Sequence, residues 1–192
     1  MVTSRRLEKM KQVLKTRQWD LRVFMDYVYS EHNLAAIVRT ADAVNVWKLY
    51  YRHQKKVRIN KEIAMKADKW MFIEYVDEIE NFYKKLKSQW YQVVATLLDD
   101  DTIDFREVDY TKPTLIVLGN EVDGVSEITK SYADKKVSIP MYWMSQSLNV
   151  SVANAVMLYE AQRQRQLAWM YDKMQIPQEV YEETLKKWLE KY

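Results

Sequence analysis

Apolar side chains recur along this chain at two spacings, and the switches between them divide it into elements. Leu7, Met10, Val13 and Leu14 fall on one face of a helix over residues 4–17. Leu21, Val23 and Met25 alternate, which predicts a strand over 21–28; Leu34, Ile37, Val38 and Ala41 return to helical spacing over 33–44. A short strand is expected over 48–52, while residues 53–69 show no clean period. Residues 71–76 read as a strand, after which Asp77 is placed to cap a helix bearing Ile79, Phe82, Tyr83 and Leu86. Strands are expected over 91–98 and 114–118. The second is a continuous apolar run behind Pro113, typical of a strand buried on both faces. A short helix over 126–133, a strand over 137–141, a long helix over 148–171, a linker over 172–177 and a last helix over 178–192 complete the series.

Strand and helix alternate, with helices at both ends. That order predicts an α/β fold: a mostly parallel sheet, helices on both faces, and helical N- and C-terminal extensions. The corresponding units are a basic helix over 1–18, a core domain over 19–171 and a C-terminal helical extension over 172–192. Ligands of such sheets bind beyond the carboxyl ends of the strands. Four segments fall there: 30–39, 96–101, 119–124 and 141–149.

Composition narrows the chemistry. The 192 residues are 48% hydrophobic, enough for the core of one domain. There is no Cys and there are two His, so disulfides and thiolate metal sites are excluded and no metal centre is expected. No run approaches the ~20 consecutive apolar residues of a membrane span. No apolar stretch follows Arg5 and Arg6 at the N-terminus, so a cytoplasmic protein without membrane association is expected. The net charge of +3 is modest, but Arg5, Arg6, Lys9, Lys11, Lys15 and Arg17 cluster early, and Arg52, Lys55, Lys56, Arg58, Lys61, Lys66 and Lys69 cluster over 52–69. Such clusters suit phosphate contact as well as solvated helix faces.

Glycine is scarce. Gly119 and Gly124 stand alone where average usage of ~7% would supply about thirteen. Their positions point to backbone geometry that other residues resist. The chain has no G-x-G-x-x-G and no P-loop, and neither His32 nor His53 lies in a nucleophile context.

Three segments carry the remaining signal. The first is His32-Asn33-Leu34-Ala35-Ala36-Ile37-Val38-Arg39-Thr40-Ala41-Asp42-Ala43. The second is Leu118-Gly119-Asn120-Glu121-Val122-Asp123-Gly124-Val125-Ser126. The third runs from Ile139-Pro140-Met141 through Ser147-Leu148-Asn149 to Tyr159-Glu160-Ala161. In order and spacing they resemble the three motifs of the SpoU (TrmH-type) RNA ribose methyltransferases. The stretch from Asp104 to Pro113 is similar to the members that methylate a D-loop guanosine of tRNA. The likeness covers nearly the whole chain and is weakest at residues 50–70.

The resemblance implies a deep trefoil knot in the C-terminal part of the sheet and a homodimer through the knot region and the 148–165 helix. It implies S-adenosylmethionine as methyl donor and transfer to a ribose 2′-hydroxyl of tRNA. Arg39, Asn33, Glu121, Ser147 and Asn149 are the implied catalytic set. Thr96, Leu118, Gly119, Ile139, Met141 and Leu148 are the implied cofactor contacts. Arg5, Arg6, Lys9, His32, Lys55 and Arg58 are the RNA-binding candidates.

Chemistry bears on these roles. A ribose hydroxyl is a poor nucleophile until it loses its proton. The family gives that task to the arginine at Arg39, yet an arginine is ordinarily always charged. A phosphate clamp and electrostatic activator is the role its chemistry supports directly. Asn33 and Ser147 are equally suited to cap the helices that begin near them.

The chain also departs from the family. Residues 54–69 hold no glycine, Asn45 and Trp143 stand where the family usually has glycine, and Val122 stands where lysine is common. The rival reading is a catalytically impaired or redesigned knotted dimer that keeps the fold without the activity.

Overall fold

The computed structural model describes residues 2–53, 67–99, 101–120, 122–142 and 147–191. The chain runs α1 (Ser4–Lys15), β1 (Gln18–Asp26), α2 (Glu31–Ala43), β2 (Val46–Arg52), β3 (Phe72–Tyr75), α3 (Ile79–Ser88), β4 (Gln92–Thr96) and β5 (Ile103–Asp104). It continues through β6 (Thr114–Leu118), α4 (Glu127–Tyr132), β7 (Lys135–Ser138), α5 (Val150–Leu167) and α6 (Gln178–Leu189). The seven strands form one sheet in the order β3-β2-β1-β6-β4-β7-β5, every pairing parallel.

Helices cover both faces, as the alternation of elements predicts. On one face Val23, Met25, Leu49 and Ile116 pack with Leu34, Ile37 and Val38 of α2 and with Met157, Leu158 and Ala161 of α5. On the other, Phe24, Val93, Leu115 and Val117 pack with Tyr83 and Leu86 of α3 and Ile128 of α4. Neighbouring strand residues go to opposite layers, the two-residue period of a strand. β6 lies between β1 and β4 and is buried along its whole length, which explains the apolar run Leu115–Leu118.

A third cluster lies at the β3–β2 side. Met10 and Leu14 of α1 and Trp188 of α6 meet there with Trp47 and Ile176. Arg17 is buried beside it. Its guanidinium donates to the Val46 carbonyl and to Asp42 Oδ1, both at 2.8 Å. Burial pulls the Arg17 pKa down and the Asp42 carboxylate opposes that shift.

Several boundaries differ from the expectation, each for a local reason. β7 spans Lys135–Ser138 instead of 137–141. Pro140 has no N–H to give the ladder, so the chain leaves the sheet before it. Glu78, not Asp77, occupies the N-cap of α3, without a side-chain bond. Ser30 caps α2, its Oγ accepting the Asn33 N–H at 3.4 Å, so Asn33 sits inside the first turn. Asn149, not Ser147, caps α5 by accepting the Ser151 N–H at 2.9 Å. α5 stops at Leu167, and Trp169 beyond it takes φ 58°, the left-handed conformation that ends a helix. Asn45 has φ 61°, in the region asparagine tolerates better than most side chains. β5, two residues long, is too short for any periodicity to announce.

Candidate active site

The carboxyl ends of β4, β6 and β7 open on a cleft of about 380 Å³. Three of the four segments expected at strand ends line it. Thr96 and Asp99 come from the end of β4, Gly119, Asn120 and Asp123 from the loop after β6, and Ile139, Met141, Ser147, Leu148 and Asn149 from the segment before α5. Val150, Ala153 and Met157 of α5 form one wall, and Lys130 of α4 contributes a cation. A 2.8 Å hydrogen bond to Glu127 raises the Lys130 pKa above its ordinary value.

The loop after β6 folds back on itself. The Asn120 N–H donates to the Gly124 carbonyl at 2.9 Å, and the Gly124 N–H to the Asn120 carbonyl at 3.2 Å. Asn120 Oδ1 accepts the N–H groups of Val122 and Asp123 at 2.8 and 2.7 Å, closing a side-chain turn. The limbs lie so close that a Cβ on Gly119 would stand 2.1 Å from the Gly124 carbonyl carbon and 2.3 Å from the Val125 nitrogen. Gly124 has open space around it but takes φ +71°. One glycine is needed for close approach and the other for a left-handed backbone.

The α5 cap reaches across the molecule. Asn149 Nδ2 donates to Asn33 Oδ1 at 3.2 Å, joining residues 116 apart in sequence. Asn33 is buried in α2, so the starts of α2 and α5 are held together at the edge of the cleft.

Residues 20–159 match the model of the SpoU rRNA Methylase family. The chain belongs to that family. Over 190 residues it is 50% identical to a tRNA (guanosine(18)-2′-O)-methyltransferase of Aquifex aeolicus (strain VF5), covering 98% of this chain and 90% of the relative. A protein of the same name from Thermus thermophilus is 43% identical over 190 residues, with 98% of each covered. The crystal structure of the A. aeolicus TrmH/SpoU tRNA modifying enzyme aligns with a TM-score of 0.93 at 50% identity, over 97% of this chain and 96% of that one. The SpoU methyltransferase AviRb from Streptomyces viridochromogenes, solved in complex with AdoMet, aligns at a TM-score of 0.69 and 26% identity, over 80% and 64%.

Within the SpoU fold the candidate residues separate. Thr96, Gly119, Ile139, Met141 and Leu148 line the cleft; Leu118 does not, because its side chain belongs to the sheet core. Thr96 Oγ1 donates to the Val117 carbonyl at 3.1 Å, tying the ends of β4 and β6. Ser147 and Asn149 line the cleft, and Asn33 meets it through Asn149. Arg39 is exposed on α2 and does not line the cleft of its own chain. Arg5, Arg6 and Lys9 are exposed on α1, and His32 is exposed on the first turn of α2. No residue of α1 or α6 lines the cleft. Glu121, Lys55, Arg58 and Trp143 lie outside the described residues.

Three charged residues line the cleft without having been candidates on sequence: Asp99, Asp123 and Lys130. The first two sit in segments already expected at strand ends. Lys130 had no signal, because only the packing of α4 brings it to the β7 end. Among the described residues, no group of three or more His, Cys, Asp or Glu is placed to hold a metal ion. No helix there is long and apolar enough to cross a membrane.

Proposed function

We propose that this SpoU-family chain is a tRNA guanosine-2′-O-methyltransferase that uses S-adenosylmethionine and acts on guanosine 18 of the D-loop. One observation carries the reading. The Asn149–Asn33 hydrogen bond joins the first and third motifs beside a cleft whose other walls are the loops of the second and third. The choice of tRNA and of guanosine 18 rests on the Aquifex and Thermus relatives, each matched over 98% of this chain.

The residues present fit the donor. A cleft of about 380 Å³ is within the ~300–1,000 Å³ usual for small ligands. Ile139, Met141 and Leu148 offer apolar surface for an adenine ring, and the Gly119 loop offers backbone groups free of side-chain bulk. Bound S-adenosylmethionine supplies a methyl group on a sulfonium centre. Asn33 and Asn149 hold the starts of α2 and α5 in register, and Ser147 lines the cleft beside them, which keeps the reacting hydroxyl oriented. Arg39, exposed on α2 outside the cleft of its own chain, clamps the phosphate beside the target ribose and stabilises the charge left on the 2′-oxygen as its proton passes to water. Glu121 belongs to the same catalytic set by its place in the second motif.

Further features support the wider reading. β6 enters the sheet between β1 and β4, and β7 between β4 and β5, the late insertion that a trefoil knot needs. Val152 and Tyr159 are 46% and 51% exposed on α5, an apolar face suited to a homodimer through that helix. α1 and α6 pack together onto Trp47 and Phe72 at one side of the sheet, which supports reading 1–18 and 172–192 as extensions docked on a 19–171 core. Arg5, Arg6 and Lys9, with His32, Lys55 and Arg58, then contact phosphates of a tRNA in the cytoplasm.

Methyl transfer from labelled S-adenosylmethionine to unmodified tRNA tests the reading. Label should appear on the ribose of guanosine 18. Arg39→Ala should lower kcat by about a hundredfold or more while cofactor affinity stays within about twofold. A protein that binds no S-adenosylmethionine by calorimetry, or that methylates no unmodified tRNA, would overturn it.

A further inference from the structure

One buried carboxylate at the carboxyl end of β1 plays no part in the proposed reaction. Asp26 is 0% exposed. Its Oδ2 accepts the Ser126 N–H at 2.8 Å and the Thr129 hydroxyl at 2.7 Å, while its Oδ1 has no hydrogen-bond partner. A threonine hydroxyl carries one proton. Since that proton goes to Asp26, the Tyr83 hydroxyl at 2.6 Å and the Ser126 hydroxyl at 3.2 Å donate to Thr129. Burial raises the Tyr83 pKa, which keeps it a donor. A carboxylate buried with one oxygen unpaired is a destabilising way to fill space in a core. Its bonds therefore call for a purpose beyond packing.

Their location supplies one. Ser126 follows Val125, whose nitrogen lies against Gly119, and Gly119, Asn120 and Gly124 line the cleft. The bond to Ser126 spans 100 residues of sequence. It fastens the returning limb of the cleft loop to the end of β1. From that same point the chain continues to Ser30 and Asn33, the start of α2. Asp26 thus sits where the first and second motifs are anchored to one another, on the sheet face opposite the Asn33–Asn149 bond.

We infer that Asp26 is a positioning residue for the cofactor cleft: its carboxylate holds the returning limb of the 119–126 loop, and through Gly119 the cleft wall, against β1. The consequence for S-adenosylmethionine rests on the proposed function; the consequence for the loop does not.

Asp26→Asn in the full chain tests both. Without cofactor, amide hydrogen exchange over 119–126 should rise about tenfold, because the amide oxygen keeps both bonds but loses the charge that strengthens each of them, while β2 and α1 keep wild-type protection. The dissociation constant for S-adenosylmethionine should rise by a similar factor, and KM for tRNA should stay within about twofold. Thr129→Val keeps the volume but removes the Asp26 bond together with the acceptor of the Tyr83 and Ser126 hydroxyls; it should raise both quantities at least about threefold, Tyr83→Phe serves as the control for the lost Tyr83 bond, and the pair decides the matter if Asp26→Asn fails to fold. Unchanged exchange over 119–126 in the folded variants, or exchange raised evenly through the sheet, would overturn the inference. A wild-type chain that binds no S-adenosylmethionine overturns the proposed function instead, and the exchange measurement still decides the role of Asp26.

Discussion

The two ends of the sheet are built by different means. At the β3–β2 end the terminal helices are fastened by large side chains. Trp47 sits between Trp19 and Phe72, each pair with ring centroids 4.7 Å apart, and Trp70 meets Trp188 edge-on at 5.2 Å. The buried Arg17 guanidinium ties the carbonyls of β2 and of Trp70 to Asp42 of α2. At the β6–β4–β7 end the cleft is shaped by backbone: a loop folded onto Gly119, a left-handed Gly124, and the Asn149 cap. Apolar packing tolerates substitution of roughly equal volume, but a backbone contact that would put a Cβ at 2.1 Å tolerates none. This difference accounts for the position of the chain's two glycines, both beside the cleft.

Mutations at the two ends should separate stability from binding. The largest effect is expected from Asp42→Ala, which strips the carboxylate from an arginine only 1% exposed. Denaturant unfolding should lose about 3 kcal/mol, with S-adenosylmethionine affinity unchanged; a matching loss of affinity would break the contrast. Next comes Gly119→Ala, which should cost about 2 kcal/mol by overpacking and weaken cofactor binding at least about tenfold. Gly124→Ala meets no atom within 4 Å and should cost only about 1 kcal/mol for its positive φ. Equal penalties at the two glycines would show that close approach is not what distinguishes them.

Two smaller changes should stabilise the chain. Asn154 of α5 is fully buried with both amide atoms unpartnered. Asn154→Ala should raise stability by about 1 kcal/mol, relief of the amide outweighing a small cavity; a loss would mean that the amide is satisfied in solution. Trp90 follows α3 at φ 64° and is 87% exposed, at a place where helices commonly carry glycine. Trp90→Gly should raise stability slightly, by under about 1 kcal/mol, because little packing is lost.

Legibility followed the range of the interaction. β6 was legible because four apolar residues behind Thr114, bounded by Pro113 and Gly119, suit a doubly buried strand. β5 was not, because Ile103 and Asp104 are a strand only by virtue of β7 beside them. Arg17 and Lys15 look alike in a basic stretch, yet Lys15 is exposed and Arg17 is buried. Ser147 and Asn149 are both good caps; the path of the chain out of the cleft chose Asn149. The cleft loops were expected at strand ends, whereas Lys130 reached them through the packing of a helix that had no visible link to the site.

The amino-acid sequence alone determined the alternation of strands and helices, the place of the two glycines and the motifs of the SpoU family. Each of these depends on side-chain period or local backbone freedom, which neighbouring residues express by themselves. Only the tertiary structure decided the strand order, the pairing of Asn33 with Asn149 and the bonds that Asp26 makes. Those contacts join residues 100 to 116 positions apart. No local pattern encodes them, because they arise only when the sheet brings its late strands in among the early ones.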